Sequence, residues 1–464
     1  MKNSEELRQQ LRSINRKSYP AYKGLKGLYH FGNYILSIDH VQGDPFASPS
    51  HVSIQISHRD AGFPVEYYKD TLTGTTLCDY LTRQFEKQVS QYSFRAKGSG
   101  KSGLLTVSHC GQEILSRTAC EITEKGITAR FFVGFPANGR TINATELEKI
   151  LFDFLPVCIQ KSFFYSSLNA KELQNYIELA EDQEFIRQTL PAKNLCAFIA
   201  DGSILPRESG ISSRPMKASV PFTSPDSLRI SINLPHKGKI TGMGIPKGIT
   251  LIVGGGYHGK STLLNALELG VYNHIPGDGR EYVITDATAV KLRSEDGRFI
   301  KDVDVSMFIN DLPNKKDTRC FSTLDASGST SQAAGIAESM EAGSHLFLLD
   351  EDTSATNFMV RDAFMQQVIQ REKEPITPFL ERAEDLYKKA GISTILVAGS
   401  SGAFFHIADT IIQMDNYVPK DITASVKKLC SQYPLPAVSV TDFQLPHSHR
   451  IMSRPAESST VSYT

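Results

Sequence analysis

The sequence lacks any apolar run that could cross a membrane. Among its 464 residues, apolar stretches such as residues 250–253 and 346–349 are only a few residues long, whereas a membrane-spanning helix needs about 20 apolar residues. No apolar segment of the signal-peptide kind follows residues 1–6, so we expect no secretory leader. These absences predict a soluble protein that does not act in a membrane.

Cysteine pairs are missing as well. The seven cysteines are scattered along the chain, and no two of them form a C-x-x-C motif. An odd, dispersed set argues against a disulfide scaffold and against a zinc knuckle. We therefore expect reduced thiols and a cytoplasmic protein.

The chain has no excess charge of either sign. Lys and Arg number 50, as do Asp and Glu, so the formal net charge is +0. This balance excludes a uniformly basic nucleic-acid coat and a uniformly acidic, solvated chain. It leaves room for a local basic patch.

Residues 2–26 form such a patch, with seven lysines and arginines against two glutamates, a local net charge of +5. The spacing predicts an amphipathic helix. Its apolar face consists of Leu7, Leu11 and Ile14. Its basic strip consists of Arg8, Arg12 and Arg16. Two roles are open for the strip: the solvated face of a docking helix, or contact with a partner or with the phosphates of RNA or DNA.

The strongest motif is a glycine-rich loop at residues 254–261, which matches the Walker A pattern G-x-x-x-x-G-K-[ST]. A buried-strand run precedes it and a helical pattern follows. Glycines let backbone N–H groups converge on phosphates, Lys260 can reach the β- and γ-phosphates, and Ser261 can ligate Mg²⁺. The loop therefore predicts a site for ATP and Mg²⁺. The nucleotide-binding residues predicted here are Gly254, Gly255, Gly256, Tyr257, His258, Gly259, Lys260, Ser261 and Thr262.

An apolar strand that ends in two acidic residues lies downstream, and its Asp350 comes 90 residues after Lys260. Asp350 suits the Walker B role of a magnesium ligand. Glu351 is placed to polarise the attacking water as general base. The two catalytic residues that we predict are Glu351 and Lys260.

A small, hydroxyl-rich turn at Ser327, Gly328 and Ser329 opens a predicted helix, which makes it a second potential anion site. Phosphate loop, serine-rich helix start and acidic strand end resemble, in this order, the ABC-type ATPases. The resemblance implies a homodimer in which this signature turn closes over the γ-phosphate held by the other subunit. It also places Asn310 at the Q-loop position, and it places Ser400 where a transporter-type ATPase has its switch histidine. This sequence has no histidine there, so either its serines contact the γ-phosphate instead or that function is missing.

Longer motifs narrow the resemblance. The chain is similar to a soluble family described as predicted ATPases of the ABC class, and the similarity runs from about residue 10 to 425. It implies a family N-terminal domain followed by an ATPase core. The motifs that carry it are residues 43–49, 200–207, 277–281, 326–334 and 350–359.

We therefore expect an α/β fold: a P-loop NTPase core of ABC type with an α+β N-terminal accessory domain. The accessory domain is expected over residues 1–160 and the ATPase domain over 161–440, with 161–226 as lead-in and linker. Alternating strands and helices from residue 228 onward predict a parallel sheet. Residues 441–464 are expected to form a disordered tail.

The leading functional prediction is a dimerising ATPase whose ATP binding and hydrolysis drive conformational change, with RNA, DNA or a ribonucleoprotein as its target. One alternative is a P-loop kinase acting on a small molecule. Another is a nucleotide-gated binding module with little turnover, suggested by the missing switch histidine. For Phe222 we weigh stacking on adenine against a place in the core or in a loop.

Overall fold

A computed structural model describes residues 1–361, 374–433 and 443–446. The chain divides into two compact units. The first unit comprises Met1–Glu184, Pro235–Lys237 and Tyr272–Glu281, and the second comprises Phe185–Leu234, Gly238–Val271 and Tyr282–Thr464. Apart from residues 443–446, the expected tail lies outside the described residues.

The described residues form these α-helices: α1 (Ser4–Ile14), α2 (His58–Ala61), α3 (Thr71–Val89), α4 (Ala144–Glu148), α5 (Leu155–Phe163), α6 (Ala170–Ala192), α7 (Lys260–Leu269), α8 (Gly328–Glu341), α9 (Thr356–Met359), α10 (Phe379–Ala390), α11 (Phe404–Ile407) and α12 (Thr423–Cys430). A π-helical turn, Lys149–Phe154, joins α4 to α5. Short 3₁₀ helices lie at Tyr19–Leu25, Val65–Tyr67, Tyr165–Ser167, Asp226–Leu228 and Glu351–Thr353.

The strands are β1 (Lys2–Asn3), β2 (Gly27–His30), β3 (Ile35–His40), β4 (Ser50–Ile56), β5 (Leu105–Thr106), β6 (Glu113–Ile114), β7 (Cys120–Thr123), β8 (Gly126–Val133), β9 (Ala137–Asn138), β10 (Thr141–Ile142), β11 (Leu195–Ala200), β12 (Arg229–Leu234), β13 (Gly238–Pro246), β14 (Ile249–Val253), β15 (Asn273–His274), β16 (Val283–Thr285), β17 (Val290–Leu292), β18 (Arg298–Val303), β19 (Phe321–Ala326), β20 (Leu346–Asp350), β21 (Ser393–Val397), β22 (Thr410–Asp415) and β23 (Val418–Asp421).

The first unit is built on a sheet with the order β1-β2-β3-β4-β8-β5, to which β7 adds beside β8. Alternating residues of β4 and β8, such as Ile54 and Phe131, are buried on one face. They share a core with Leu81 and Phe85 of α3 and with Ile159 of α5. The period of two along the strands thus decides which side of the sheet the helices cover.

Helix α1 is the amphipathic helix that the N-terminal spacing predicts, with Leu7 and Leu11 fully buried. Its basic strip is partly used within the unit. Arg8 and Arg12 both bind Glu148, at 3.0 and 2.9 Å, and the Arg8 guanidinium lies 4.4 Å from the ring centroid of Phe152. These contacts favour the docking role of the helix.

Residues 272–281, which follow α7 along the chain, belong to the first unit. Their strand β15 pairs antiparallel with β6. His274 and Asp278 are fully buried there, with Nδ1 and Oδ2 2.8 Å apart. Gln183 accepts from His274 N–H at 3.1 Å and donates to its carbonyl at 2.9 Å.

The second unit contains a six-stranded sheet with the order β17-β20-β21-β14-β22-β23. All its pairs are parallel except β22–β23. The carboxyl ends of β14, β20 and β21 therefore meet at one edge, which is where ligands bind in open α/β sheets.

A four-stranded antiparallel sheet, β12-β13-β11-β16, also belongs to this unit. The prediction of a parallel sheet from residue 228 onward is wrong for β16, for β18 and β19, which pair antiparallel with each other, and for β12 and β13. Residues 235–237 alone connect these two strands, and so short a turn permits only antiparallel pairing. The parallel sheet begins at β14. Within the described residues, no helix has the length and apolar character required to span a bilayer.

Candidate nucleotide site at the carboxyl edge of the sheet

The loop from Gly254 to Gly259 joins β14 to α7. Gly254 has φ +144°, and a Cβ there would lie 2.4 Å from the carbonyl oxygen of Met414. Gly259, the N-cap of α7, has φ +97°. Only glycine adopts these conformations without strain, so the loop needs glycine at both positions. Tyr257 also has a positive φ, +64°, and its side chain is 99% exposed.

The ammonium group of Lys260 lies over this loop. Its Nζ donates to the carbonyl oxygens of Gly254 and Gly255 at 2.7 and 2.9 Å. The lysine is the first residue of α7, so its charge is added to the positive end of that helix. Ser261 and Thr262 follow in the first turn.

His258 fixes the loop to the turn between β22 and β23. Its Nδ1 accepts from the N–H of Asn416 at 2.9 Å, and its carbonyl oxygen accepts from the N–H of Tyr417 at 3.1 Å. The Tyr417 ring also packs against Gly259, where a Cβ would approach it to 2.8 Å. The imidazole is thus a support for the loop, a role that the sequence did not reveal.

Asp350 ends β20 and is 7% exposed. Its Oδ1 accepts from the N–H of Asp352 at 3.2 Å. Burial raises the pKa of Asp350, and the positive charges of Lys291 and Lys260 only partly offset that effect. A cation beside this carboxylate would relieve the cost of burying its charge.

Glu351 is held by the loop that follows β21. Its Oε2 accepts from the N–H groups of Gly399 and Ser400 at 2.7 and 2.9 Å, and its Oε1 accepts from Ser400 Oγ at 2.5 Å. Burial alone would raise the pKa of Glu351, but the hydrogen bonds from Ser400 and Gly399 outweigh it and lower the pKa. The structure thus brings Ser400 and the predicted base together.

In the turn at 327–329, one serine hydroxyl group lies at the surface and the other is buried. Ser327 is exposed and caps α8, where its Oγ accepts from the N–H of Thr330 at 3.4 Å. Ser329 is buried and donates to Asn357 Oδ1 at 2.7 Å. A Cβ at Gly328 would lie 2.3 Å from Ser294 Oγ, so a side chain there would require that serine to move. Ser327 therefore carries the hydroxyl group that this turn presents to solvent.

Two other predicted residues have contacts of a different kind. Asn310 donates from Nδ2 to the carbonyl oxygen of Ser306 at 2.7 Å and from its backbone to that of Pro375 at 2.8 Å. Phe222 is 2% exposed and packs in a core with residues such as Leu205 and Met243. The adenine-stacking role for Phe222 is wrong, and the core alternative is confirmed.

Comparison with known proteins agrees with this geometry. A family model for ABC ATPases, described as a P-loop domain, matches residues 169–449, and a second, described as the N-terminal part of ATPases of the ABC class, matches residues 4–166. The chain belongs to the ABC-class ATPase family. The fold class expected from the sequence, a P-loop core with an N-terminal domain, is confirmed.

A curated relative is the uncharacterized protein MJ1628 of Methanocaldococcus jannaschii, which is 30% identical over 266 residues. The aligned part is 54% of this chain and 58% of that protein, so the chain spans less than two thirds of the relative's length.

Solved structures with similarity include the ADP conformation of MJ1267, an ATP-binding cassette of an ABC transporter. It has 13% identity and a TM-score of 0.28, over 42% of this chain and 88% of that one. Another is cbiO1 from Clostridium perfringens, part of the ABC transporter complex cbiONQ. It has 15% identity and a TM-score of 0.26, over 41% of this chain and 86% of that one.

Magnesium is the ion implied by membership of the ABC class. The candidate ligands are the Asp350 carboxylate and the Ser261 hydroxyl group, and hard oxygen donors of this kind are those that Mg²⁺ prefers. The buried charge of Asp350 favours a cation nearby, so these residues fit the ion. When bound, Mg²⁺ neutralises charge that develops on the phosphates of a nucleotide.

One residue of the site's surroundings was missed by the sequence interpretation. Gln332, in α8, is fully buried. Its Nε2 donates to Ser354 Oγ at 3.0 Å, and its Oε1 accepts from the N–H of Ala355 at 3.0 Å. Ser354 Oγ in turn donates to the carbonyl oxygen of Asp350 at 2.9 Å. A glutamine one turn inside a helix gives no sequence signal of such a connection.

Proposed function

We propose that this ABC-class chain hydrolyses ATP, with Mg²⁺, at the interface of a homodimer. The observation that carries the proposal is that three adjacent parallel strands, β14, β20 and β21, end at one edge of the sheet. They are followed there by the Lys260 loop, by Asp350 and Glu351, and by Ser400. Phosphoryl transfer to water needs a phosphate cradle, metal ligands and a group that positions water, and these residue types supply all three.

Each residue has a distinct part in the proposed reaction. The N–H groups of the 254–259 loop and the ammonium group of Lys260 hold the phosphates of ATP. Ser261 and Asp350 hold the metal. Glu351 accepts a proton from the attacking water. Ser327 of one protomer closes over the γ-phosphate held by its partner, so that ATP joins the two chains and hydrolysis releases them.

Steady-state ATPase measurements test the chemistry. Lys260→Ala and Glu351→Gln are each expected to lower kcat about 10²-fold or more, because one removes a phosphate contact and the other the base. Lys388→Ala is the matched control, since Lys388 pairs with Glu384 on the surface of α10. Equal activity in the wild type and Glu351→Gln would contradict the assignment of the base.

Mixing two inactive variants tests the shared site. In a Lys260→Ala and Ser327→Arg mixture, half of the dimers are mixed and each has one intact composite site, so about a quarter of the wild-type activity should return. Each variant alone is expected to stay inactive. A mixture as inactive as its components would exclude shared sites and favour a P-loop kinase instead.

A second candidate is a nucleotide-gated binding module with little turnover. It is favoured by the contacts of Glu351, whose carboxylate is already bound by Gly399 and Ser400. Single-turnover and steady-state kinetics separate the two candidates. Rapid hydrolysis that Glu351→Gln abolishes would exclude the binding module.

A further inference from the structure

The loop after β21 already binds one anion, the side chain of Glu351. Two consecutive backbone N–H groups and one hydroxyl group, all from Gly399 and Ser400, donate to its two carboxylate oxygens at 2.5–2.9 Å. Hydrogen bonds to an ionised acceptor are roughly twice as strong as those between neutral groups. We call residues 399–401 the anion loop.

The anion loop lies beside the candidate phosphate site. Strand β21 is the neighbour of β14 on one side and of β20 on the other, and the N–H of Ala398 donates to the carbonyl oxygen of Ile252 at 3.0 Å. The loop therefore begins next to the end of β14, just ahead of Gly254. Its donors lie between the phosphate loop and Glu351, where the terminal phosphate of a bound triphosphate would also be within reach.

We propose that the anion loop binds two anions in turn: Glu351 before ATP arrives, and the γ-phosphate afterwards. The inference rests on the proposed function. Two anions cannot share the same donors, because each repels the other and each N–H group has one proton to give. Arrival of the γ-phosphate releases the carboxylate, which can then accept a proton from water. Ser400 thus contacts each of the two anions in turn.

The surroundings of Ser400 support an exchangeable contact over a purely structural one. Gly399 and Ser400 are both exposed, so a ligand can reach their donors from solvent. The carboxylate that they hold belongs to a residue whose chemistry requires free lone pairs. Glu351 therefore stays bound to the loop until a γ-phosphate displaces it. ADP has no γ-phosphate and cannot displace Glu351.

Equilibrium binding of Mg·AMP-PNP and Mg·ADP to the full chain tests the exchange. Glu351→Gln removes the competing carboxylate and keeps every donor of the loop, so it should tighten AMP-PNP binding about tenfold and leave ADP binding unchanged. Glu384→Gln is the matched control, because Glu384 pairs with Lys388 on the surface of α10. It should change neither dissociation constant.

A double-mutant cycle with Glu351→Gln decides the cause. In the Glu351→Gln background no carboxylate competes, so Ser400→Ala, which removes a donor to the γ-phosphate, should weaken AMP-PNP binding about tenfold. In the wild type the same substitution weakens the hold on both anions and should change AMP-PNP binding much less. If Ser400→Ala weakens AMP-PNP binding equally in both backgrounds, or changes ADP binding as much, the exchange is wrong. A wild-type chain that binds neither nucleotide would instead refute the proposed function. Normal ATP hydrolysis without coupling in the cycle would refute the exchange alone.

Discussion

Gln332 and Ser354 are joined by a hydrogen bond of 3.0 Å between Nε2 and Oγ. It links α8, which Ser327 caps, to the segment that follows Asp350. Ser354 continues the connection to the carbonyl oxygen of Asp350, and Ser329 adds a parallel bond to Asn357. The turn proposed to face the partner's nucleotide is thus fastened to the same chain's own acidic strand end.

Replacement of Gln332 by alanine should destabilise the second unit. Its amide is fully buried, so Gln332→Ala leaves the N–H of Ala355 without its acceptor, at a cost of about 1–3 kcal/mol in the free energy of unfolding. Urea denaturation measures the change. Gln174→Ala is the control, because that glutamine is exposed and bonds to Glu178 on the surface of α6. Equal midpoints for the two variants would contradict the structural role.

Glycine positions in the phosphate loop should differ in their tolerance of alanine. Gly254→Ala places a methyl group against the Met414 carbonyl oxygen in a backbone conformation that L-residues avoid, so we expect a loss of about 1–3 kcal/mol together with weaker ATP binding. Gly256→Ala meets nothing within 4 Å and should fold with unchanged stability. Thermal unfolding of the two variants checks this, and equal melting temperatures would count against the loop geometry.

Asp201 should make folding depend on pH. Burial alone would raise the pKa of Asp201, but hydrogen bonds from Ser224 and Thr241, with the nearby Arg229, lower it. Because the native pKa lies below the unfolded one, the stabilisation is complete above pH of about 4 and is lost as pH falls through the native pKa.

Asp201→Asn should therefore lower the free energy of unfolding at pH 7 by about 1–3 kcal/mol and should flatten its pH dependence in the acid range. Denaturation at several pH values measures both effects. Asp226→Asn serves as control, since Asp226 is 91% exposed in its pair with Arg229. If the free energy of unfolding of Asp201→Asn falls with acid pH as steeply as that of the wild type, other carboxylates cause the pH dependence.

The nucleic-acid role of residues 2–26 requires a test that spares the fold. Arg8 and Arg12 hold α1 through Glu148, so their substitution would confuse binding with stability. Lys17, Lys23 and Lys26 are exposed. If the segment binds RNA or DNA, changing these three lysines to glutamate should weaken binding. It should also reduce the salt dependence of binding by about one unit of slope for each phosphate that a lysine had neutralised. Unchanged binding would remove this segment as the interface.

The sequence predicted those parts of the site whose functional residues lie close together along the chain. The phosphate loop requires Gly254, Gly259 and Lys260 within one strand–helix turn, and Asp350 and Glu351 follow directly on a buried strand. Both patterns are complete within a few residues, so they can be recognised before any tertiary contact is known.

What the sequence missed depends on long-range contacts. His258 bonds to Asn416, and Gln332 bonds to Ser354, across segments whose juxtaposition only the fold creates. Ser400 was recognised by its place in the motif order, but its bond to Glu351 was not. The error at β12 and β13 has a different cause. The alternation of strands and helices suggested parallel pairing, but the short connection at residues 235–237 is a local feature that permits only antiparallel pairing.

The path of the chain has a practical consequence for dividing this protein. Residues 272–281 belong to the first unit although the sequence on both sides belongs to the second. A fragment that starts at residue 185 would keep β15 but lose β6, with which it pairs, and would expose the buried His274 and Asp278 to water. No single cut therefore yields an intact nucleotide-binding fragment. To express the second unit alone, residues 272–281 would have to be deleted and Val271 joined to Tyr282 by a linker.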